Sequence, residues 1–288
     1  AFVCLTFGDL TEKASVLPSI VRGCDAVELR VDHLAKYDSQ FVSKQLSTLR
    51  TATNDLPIVF TLRTKKQGGK FPDEDYTGMA RLFDVALKAC VEYIDLELTL
   101  PIDVQYKVSN TKGYTKIIGS HHDFGAKYPW KDPEWENRYN QALSLDVDVI
   151  KFVGTATKFE DNLALERFRE EHKSKPLIAI NMGEIGKISR VLNPILTPIT
   201  SEHLPNSSAP GQLTLAQINK IFASMGGITS KKFFVVGNPV SHSRSPVLHN
   251  TGYKLNGLPH HFDRFETDSA QVVKETLLDG EPSLGGLA

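Results

Sequence analysis

At 288 residues, 41% of them hydrophobic and 23% charged, the chain is long enough for one α/β barrel or two modest domains, and its composition excludes a wholly disordered or collagen-like protein. Its 33 Lys plus Arg nearly balance 34 Asp plus Glu, so the net charge of -1 supplies no field to gather nucleic acid or an anionic membrane. Small-molecule chemistry is therefore the better expectation. Three scattered cysteines, Cys4, Cys24 and Cys90, form no CxxC pair, which argues against a disulfide framework or a zinc site and fits a reducing, cytoplasmic setting. No apolar run approaches the ~20 residues of a membrane span. The chain starts without Met inside a strand-like run, Ala1-Phe2-Val3-Cys4-Leu5, and reads as a piece of something longer.

In chain order, eight short β-rich runs alternate with amphipathic helical stretches, which is the pattern of βα units feeding a parallel sheet. They lie near Phe2–Thr6, Ala26–Val31, Ile58–Arg63, Tyr93–Leu98, Lys116–His122, Val147–Val153, Leu177–Met182 and Ile195–Thr200. A last helix near Thr214–Met225 completes eight units within a length close to the ~250 residues of a (β/α)8 TIM barrel. After Gly226-Gly227 the texture changes. Lys231 to Gly237 reads as a ninth strand, which a closed barrel cannot hold, followed by a helix over Ser245–Leu255 and a strand near His260–Phe265. The expected organisation is a barrel over residues 1–227 and an incomplete α/β module over 228–288.

Strand parity points to a site. In Val27-Glu28-Leu29-Arg30-Val31, Phe60-Thr61-Leu62-Arg63, Ile94-Asp95-Leu96-Glu97-Leu98 and Asp148-Val149-Ile150-Lys151-Phe152, polar and aliphatic residues fall on opposite faces. If the aliphatic face meets the helices, then Glu28, Arg30, Arg63, Asp95, Glu97 and Lys151 converge on the barrel mouth, and so does His122, while His121 points outward. Buried charges are costly unless paired, so such a set implies a ligand. Lys151 in a largely apolar mouth is suited to Schiff-base formation, the alternative being a strand lysine salt-bridged to Glu97 or Glu28. His122 is placed to move protons near neutral pH. Arg63 and Arg190 offer planar forks for a carboxylate. Ser208-Ala209-Pro210-Gly211-Gln212 is expected to open the last helix as an anion site. Gly68-Gly69 is expected to be a flexible loop able to close over a substrate. No nucleotide-binding glycine motif occurs in the barrel.

These residues resemble a known family. Glu28-Leu29-Arg30-Val31-Asp32, the Phe60 to Arg63 strand with its Gly-Gly loop, Ser120-His121-His122-Asp123-Phe124, Lys151, Ile188-Ser189-Arg190 and Ser208 to Gln212 look like type I 3-dehydroquinate dehydratase over about the first 225 residues. The second module resembles the start of shikimate dehydrogenase, through Gly237 to Pro246 and His249-Asn250. The pair in this order is similar to the C-terminal end of the pentafunctional AROM polypeptide.

The resemblance implies dehydration of 3-dehydroquinate to 3-dehydroshikimate without metal or cofactor. Lys151 forms the imine and His122 transfers the protons. Arg190, Ser208 and Gln212 hold the carboxylate, Glu28, Arg30 and Arg63 fix the ring hydroxyls, and Phe124 and Met182 supply apolar walls. Where bacterial members carry a glutamate that partners the histidine, this chain has Gln67, so Glu28 is expected to take that electrostatic role. In the second module Ser243 and Ser245 would bind a shikimate carboxylate, and NADP would belong only to a complete dehydrogenase domain. A homodimer joined to other shikimate-pathway domains is also implied, with no nucleic acid or membrane partner. Two other readings stay open: an aldolase-type Schiff-base barrel, or a non-catalytic regulatory paralogue that binds the same metabolites.

Overall fold

The recurring apolar runs become strands, with helices between them. The computed structural model describes residues Ala1–Ala288. Its first unit holds strands β1 (Phe2–Leu5), β2 (Ala26–Arg30), β3 (Ile58–Thr61), β4 (Tyr93–Glu97), β5 (Lys116–His122), β6 (Val149–Thr155), β7 (Leu177–Met182) and β8 (Pro198–Ile199). Between them lie α1 (Leu17–Ile20), α2 (Ser39–Thr53), α3 (Tyr76–Lys88), α4 (Ile102–Thr111), α5 (Pro133–Ser144), α6 (Glu160–Glu171) and α7 (Lys187–Leu192). Aspartates start three of these helices: the carboxylates of Asp38, Asp75 and Asp132 accept the otherwise free N–H groups of Phe41, Gly78 and Glu134.

All the strand pairs are parallel, in the order β7-β6-β5-β4-β3-β2-β1-β8, the sequence of a TIM barrel. β8 is shorter than its apolar run suggests, because Leu196 takes a positive φ of 44° and interrupts the extended backbone before it. No ladder joins β7 to β8. Instead the side chain of Asn193, at the end of α7, spans the seam. It accepts from the Ala179 N–H on β7 (3.3 Å) and donates to Ile195 O (2.5 Å) and Thr197 Oγ1 (2.9 Å), ahead of β8.

The pleat sorts the barrel interior into layers. At the bottom Phe2, Ala26, Val59, Ile118, Val149 and Ile178 form one apolar cluster, with Tyr93 against it. Two residues further along the same strands stand Cys4, Glu28, Thr61, Ser120, Lys151 and Ile180, with Asp95 on β4, all buried. The opposite parity faces the helices, where Phe60 meets Phe83 (6.4 Å between centroids) and Phe152 meets Trp135 (5.5 Å). The apolar plug closes the bottom of the barrel and raises the charged layer toward the C-terminal ends of the strands.

The second unit, Leu215–Ala288, holds α8 (Leu215–Ser224), β9 (Lys232–Gly237), α9 (Ser245–Leu255), β10 (His261–Glu266), α10 (Ala270–Val273) and β11 (Leu284–Leu287). By its contacts the division falls between Thr214 and Leu215, ahead of the 227/228 boundary drawn from composition. Helix α8 goes with the second unit, where Asn219 Nδ2 donates to Asn256 O (2.8 Å) and Gly257 packs so close to the Ala216 carbonyl that a Cβ would lie 2.0 Å from it. The sheet is parallel, ordered β10-β9-β11. Its third strand has no counterpart in the sequence reading: Gly285-Gly286 has little strand propensity, but Gly285 lies against the Phe233 ring, where a Cβ would come within 2.5 Å. Few side chains are buried in this unit, among them Val240, Pro246, Phe262 and Leu277.

Candidate active site

The charges brought in by strand parity meet as a connected network at the mouth of the barrel. Lys151 Nζ on β6 donates to Asp95 Oδ2 on β4 at 2.8 Å and lies 3.7 Å from Glu28 Oε1 on β2. Below it, the Phe2 ring faces the ammonium at 5.4 Å. Asp95 is shared, its Oδ1 accepting from Arg63 NH2 (2.7 Å) and from Ser120 Oγ (2.5 Å). Arg63 reaches Glu97 Oε1 as well (3.1 Å), and Glu97 accepts from the Thr64 N–H and hydroxyl. Glu28 accepts from Thr61 Oγ1 at 2.7 Å. Arg30 binds Asp32 through two 2.8 Å hydrogen bonds. The mouth around Lys151 is thus charged rather than mostly apolar, and Asp95, not Glu97, is the lysine's nearest carboxylate.

Burial and pairing pull against each other here. Burial alone would push the Asp95 carboxyl up, yet the charges of Arg63 and Lys151 outweigh it and hold the group below the usual carboxylate range. At Glu97 burial wins over the Arg63 charge, and its pKa is raised. Arg63 and Arg30 are raised despite burial, by Asp95 with Glu97 and by Asp32 respectively.

Arg190 on α7 is different. Its side chain is 1% exposed, and its guanidinium finds only the carbonyls of Pro198 (3.4 Å) and Pro210 (3.3 Å), with Nε lacking any partner. With no carboxylate against it, burial lowers its pKa to about 10. It is a buried cation aimed at the cavity without a protein counter-ion.

His122 ends β5 on the inner face. Its imidazole stacks on Phe124 (5.9 Å, 13°), which in turn lies against Gly68, where a Cβ would fall 2.1 Å from the ring. Nδ1 is buried without a hydrogen-bond partner, so Nε2 is the ring nitrogen with access to the cavity. Burial, reinforced by the cations of Arg63 and Lys151, pushes the imidazole well below its ordinary value, and the ring is neutral near pH 7. Gln67 does not touch that ring: its Oε1 accepts the backbone N–H of His122 at 2.8 Å. Glu28 is directed to Thr61 and Lys151, so the expected electrostatic role toward His122 is not visible in its contacts. His121 points outward onto Trp135.

A cavity of about 420 Å³, open water at its mouth included, gathers Glu28, Arg30, Arg63, His122, Phe124 and Lys151. Arg190, Ser208 and Gln212 also line it. Met182 does not. It is buried in one cluster with Val153 and Ile180, and Ile180, Val153 and Ala209 are the apolar residues that line the cavity there. Cys4 lines the cavity as well, read from sequence only as a free thiol although it shares its parity with Phe2. Burial, and then the Glu28 charge, push that thiol up, so it stays protonated.

Two loop expectations change. Ser208–Gln212 does not open the last helix, which starts at Leu215; Pro210 and Gly211, with φ of 75°, keep the segment a turn. Gly68-Gly69 is not a free flap either, since Gly69 N donates to Thr64 O (2.7 Å) and Phe71 N to Arg63 O (3.1 Å). No group of three or more His, Cys, Asp or Glu side chains is disposed to hold a metal ion, and no helix is long and apolar enough to cross a membrane.

In the second unit Ser243 and Ser245 stand at the start of α9, the Ser243 hydroxyl accepting the Ser245 N–H (3.3 Å) and the Ser243 carbonyl accepting from Arg264 (2.7 Å). Both are partly exposed.

Comparison with known proteins agrees with this geometry. The family model described as Type I 3-dehydroquinase matches residues 1–229, and that of the shikimate dehydrogenase substrate binding domain matches residues 235–287. The pentafunctional AROM polypeptide of Candida glabrata is 68% identical over all 288 residues, which span 18% of that polypeptide. The solved dehydroquinate dehydratase and shikimate dehydrogenase from S. pombe AroM aligns over 100% of this chain and 56% of its own, with 38% identity and a TM-score of 0.94. The fold is also that of the type I 3-dehydroquinate dehydratase of Clostridium difficile, solved with covalent modified comenic acid (24% identity, TM-score 0.69, 78% of this chain and 90% of that one). On these matches the chain belongs to the type I 3-dehydroquinase family.

Proposed function

We propose that the first unit dehydrates 3-dehydroquinate to 3-dehydroshikimate through a Schiff base on Lys151, as a lyase of the shikimate pathway. The observation that carries this reading is the pairing, in one cavity, of a strand lysine with a buried arginine that lacks a counter-ion. Arg190 takes the substrate carboxylate, with the Ser208 hydroxyl and the Gln212 amide beside it. That places the ring between the carboxylate clamp and Lys151, and leaves Glu28, Arg30 and Arg63 to meet hydroxyls.

The lysine amine adds to the ring ketone, and loss of water gives an iminium. Asp95 and Glu28, which hold the ammonium in the free protein, then face the iminium charge, so the cation changes its chemistry without changing its counter-ions. The neutral His122 imidazole removes the proton next to the iminium carbon, and the electron pair is stored as an enamine. Collapse of the enamine expels the hydroxyl, which His122 protonates as water. Hydrolysis of the remaining imine returns Lys151, and the net change is loss of one water. This chemistry needs no cofactor.

For the second unit the reading is narrower: Ser243 and Ser245 offer hydroxyls to a carboxylate, and an NADP-linked step would belong to a complete dehydrogenase domain. The placement alongside other pathway domains, a homodimeric state and a cytoplasmic location follow from the same family reading. The decisive experiment is the mass of the protein after 3-dehydroquinate and borohydride. A reduced adduct mapped to Lys151 is expected; no adduct, or one on another lysine, overturns the assignment.

A further inference from the structure

The segment from Thr200 to Thr214, between β8 and α8, carries two cavity residues, Ser208 and Gln212, yet it has no helix or strand to fix it. Its two ends are tied by a bridge between Thr200 and Thr214, with Thr200 N donating to Leu213 O (3.0 Å), and its middle is held by hydrogen bonds from other parts of the barrel. Two come from α7 and the end of β7: Arg190 NH2 and the Gly183 N–H both reach Pro210 O at 3.3 Å. Two others come from β1 and the residue that follows it. Thr6 Oγ1 donates to Asn206 O at 2.7 Å, and Gln212 Nε2 donates to Cys4 Sγ at 3.3 Å. Thr6 and Cys4 are 5% and 2% exposed, and they continue the inward parity of Phe2, so β1 and the residue after it present three successive inner side chains. Phe2 faces the Lys151 ammonium, and the next two face the loop.

We propose that Cys4 and Thr6 are positioning residues that latch this loop over the cavity and so set the places of Ser208 and Gln212. The relay is short. Gln212 Oε1 accepts both the Ser208 N–H (2.8 Å) and the Ser208 hydroxyl (3.1 Å), so the amide that ends on the Cys4 sulfur also orients the serine. Only one orientation of that amide serves both ends, because Ser208 needs the oxygen and the sulfur receives the N–H. The Thr6 bond acts on the other flank, holding the Asn206 carbonyl two residues before Ser208. Neither residue needs to touch the substrate; each acts through the loop. The inference rests on the reading above that Ser208 and Gln212 receive the substrate carboxylate.

Thr6→Val keeps the shape and removes the donor, and Cys4→Ala removes the sulfur. Each is expected to raise KM about five- to tenfold, the scale of one net hydrogen bond, with kcat changed by less than about twofold. In the free protein, the amides of Ser208 and Gln212, which donate to Gln212 Oε1 and Ala209 O, should exchange faster than in wild type. Thr6→Ser, which restores the hydroxyl, should restore both KM and exchange protection, and Cys4→Ser should recover part of each. Wild-type KM and exchange in Thr6→Val would overturn the latch. So would an equal loss in Thr6→Ser, since that would reflect packing. The exchange readout needs no substrate, and the borohydride adduct is scored separately. A missing adduct in wild type defeats the functional reading, whereas a normal adduct with unmoved KM and exchange defeats only the latch.

Discussion

Along β2 to β6, Arg30, Arg63 and Lys151 each sit against at least one carboxylate, and every neighbouring strand pair is laddered. Across the cavity, at the seam between β7 and β8, the ladder is missing, a side-chain amide does the joining, and Arg190 meets only two carbonyls. Strands that exchange full ladders bring opposite charges into fixed register, so their charges neutralise one another and hold the fold. At the seam the Asn193 amide stands in for the ladder, and Arg190 on the neighbouring α7 has no carboxylate against it. A paired cation, Lys151 included, is held in place by its carboxylates, whereas Arg190 has none, and the two walls should respond differently to the loss of an arginine.

The largest effect is expected on the paired wall at the reacting lysine. Lys151→Ala should lower turnover by a factor on the order of 10⁴ or more and abolish the borohydride-dependent adduct. The fold should persist, since Asp95 keeps Arg63 and Ser120 and Glu28 keeps Thr61. Circular dichroism with adduct mass checks both halves. His122→Ala should cost roughly 10²–10⁴-fold in kcat, the range for a lost proton-transfer group, while the imine still forms. Near wild-type kcat in that variant would mean that another base serves.

The two arginines test the comparison itself. Arg63→Met leaves Glu97 without a counter-ion and Asp95 with Lys151 alone, and removing one partner of a buried pair costs about 3–5 kcal/mol, read as a fall in the urea midpoint. Arg190→Met removes a buried cation that no carboxylate balances. Its stability should be unchanged or higher by about 1 kcal/mol, while KM rises roughly 10- to 100-fold, the worth of a charged hydrogen bond to the substrate. Equal destabilisation by the two substitutions would erase the distinction between the walls.

Sequence alone carried most of this wall and little of the seam, for a physical reason. A strand has a period of two, so burial on both faces fixes which residues look inward, and Glu28, Arg63, Asp95, Lys151 and His122 could be assigned by counting. Which carboxylate meets Lys151 depends on strand register and tilt, which counting does not supply. That is why Asp95 displaced Glu97 and Glu28 as the nearest partner. Where the backbone is irregular there is no period to count. The Ser208 to Gln212 turn reads as a helix start, Gly68-Gly69 reads as free although Phe124 and the Arg63 backbone press on it, and Gln67, whose role the motif leaves open, binds the peptide N–H of His122. The third strand of the second unit carries no strand signal in the sequence, because its Gly-Gly answers to the Phe233 ring rather than to strand propensity.

The smallest effect separates the inner face of β5 from its outer face. His121, one residue before His122, has both ring nitrogens buried without a hydrogen-bond partner beside Trp135. Burial, helped by the nearby Arg138 charge, lowers its pKa to about 4, and His33, half-buried beside Arg30, is lowered to about 4 as well. Both lie below the value of ~6.5 that an unfolded chain gives histidine. Each therefore contributes stability that is complete above pH 6.5 and is lost as pH falls toward 4, where the folded protein also takes up the proton. The loss is of order 1–3 kcal/mol for each. His121→Phe fits an aromatic surround and has no proton to take up. Its urea midpoint should fall less than that of wild type between pH 7 and pH 4.5, by roughly a third, the remainder belonging to His33 and to His122, whose imidazole burial also holds below its ordinary value. An unchanged slope would mean that His121 finds water or a partner on that face, and that the outer layer of β5 is less dry than its packing against Trp135 implies.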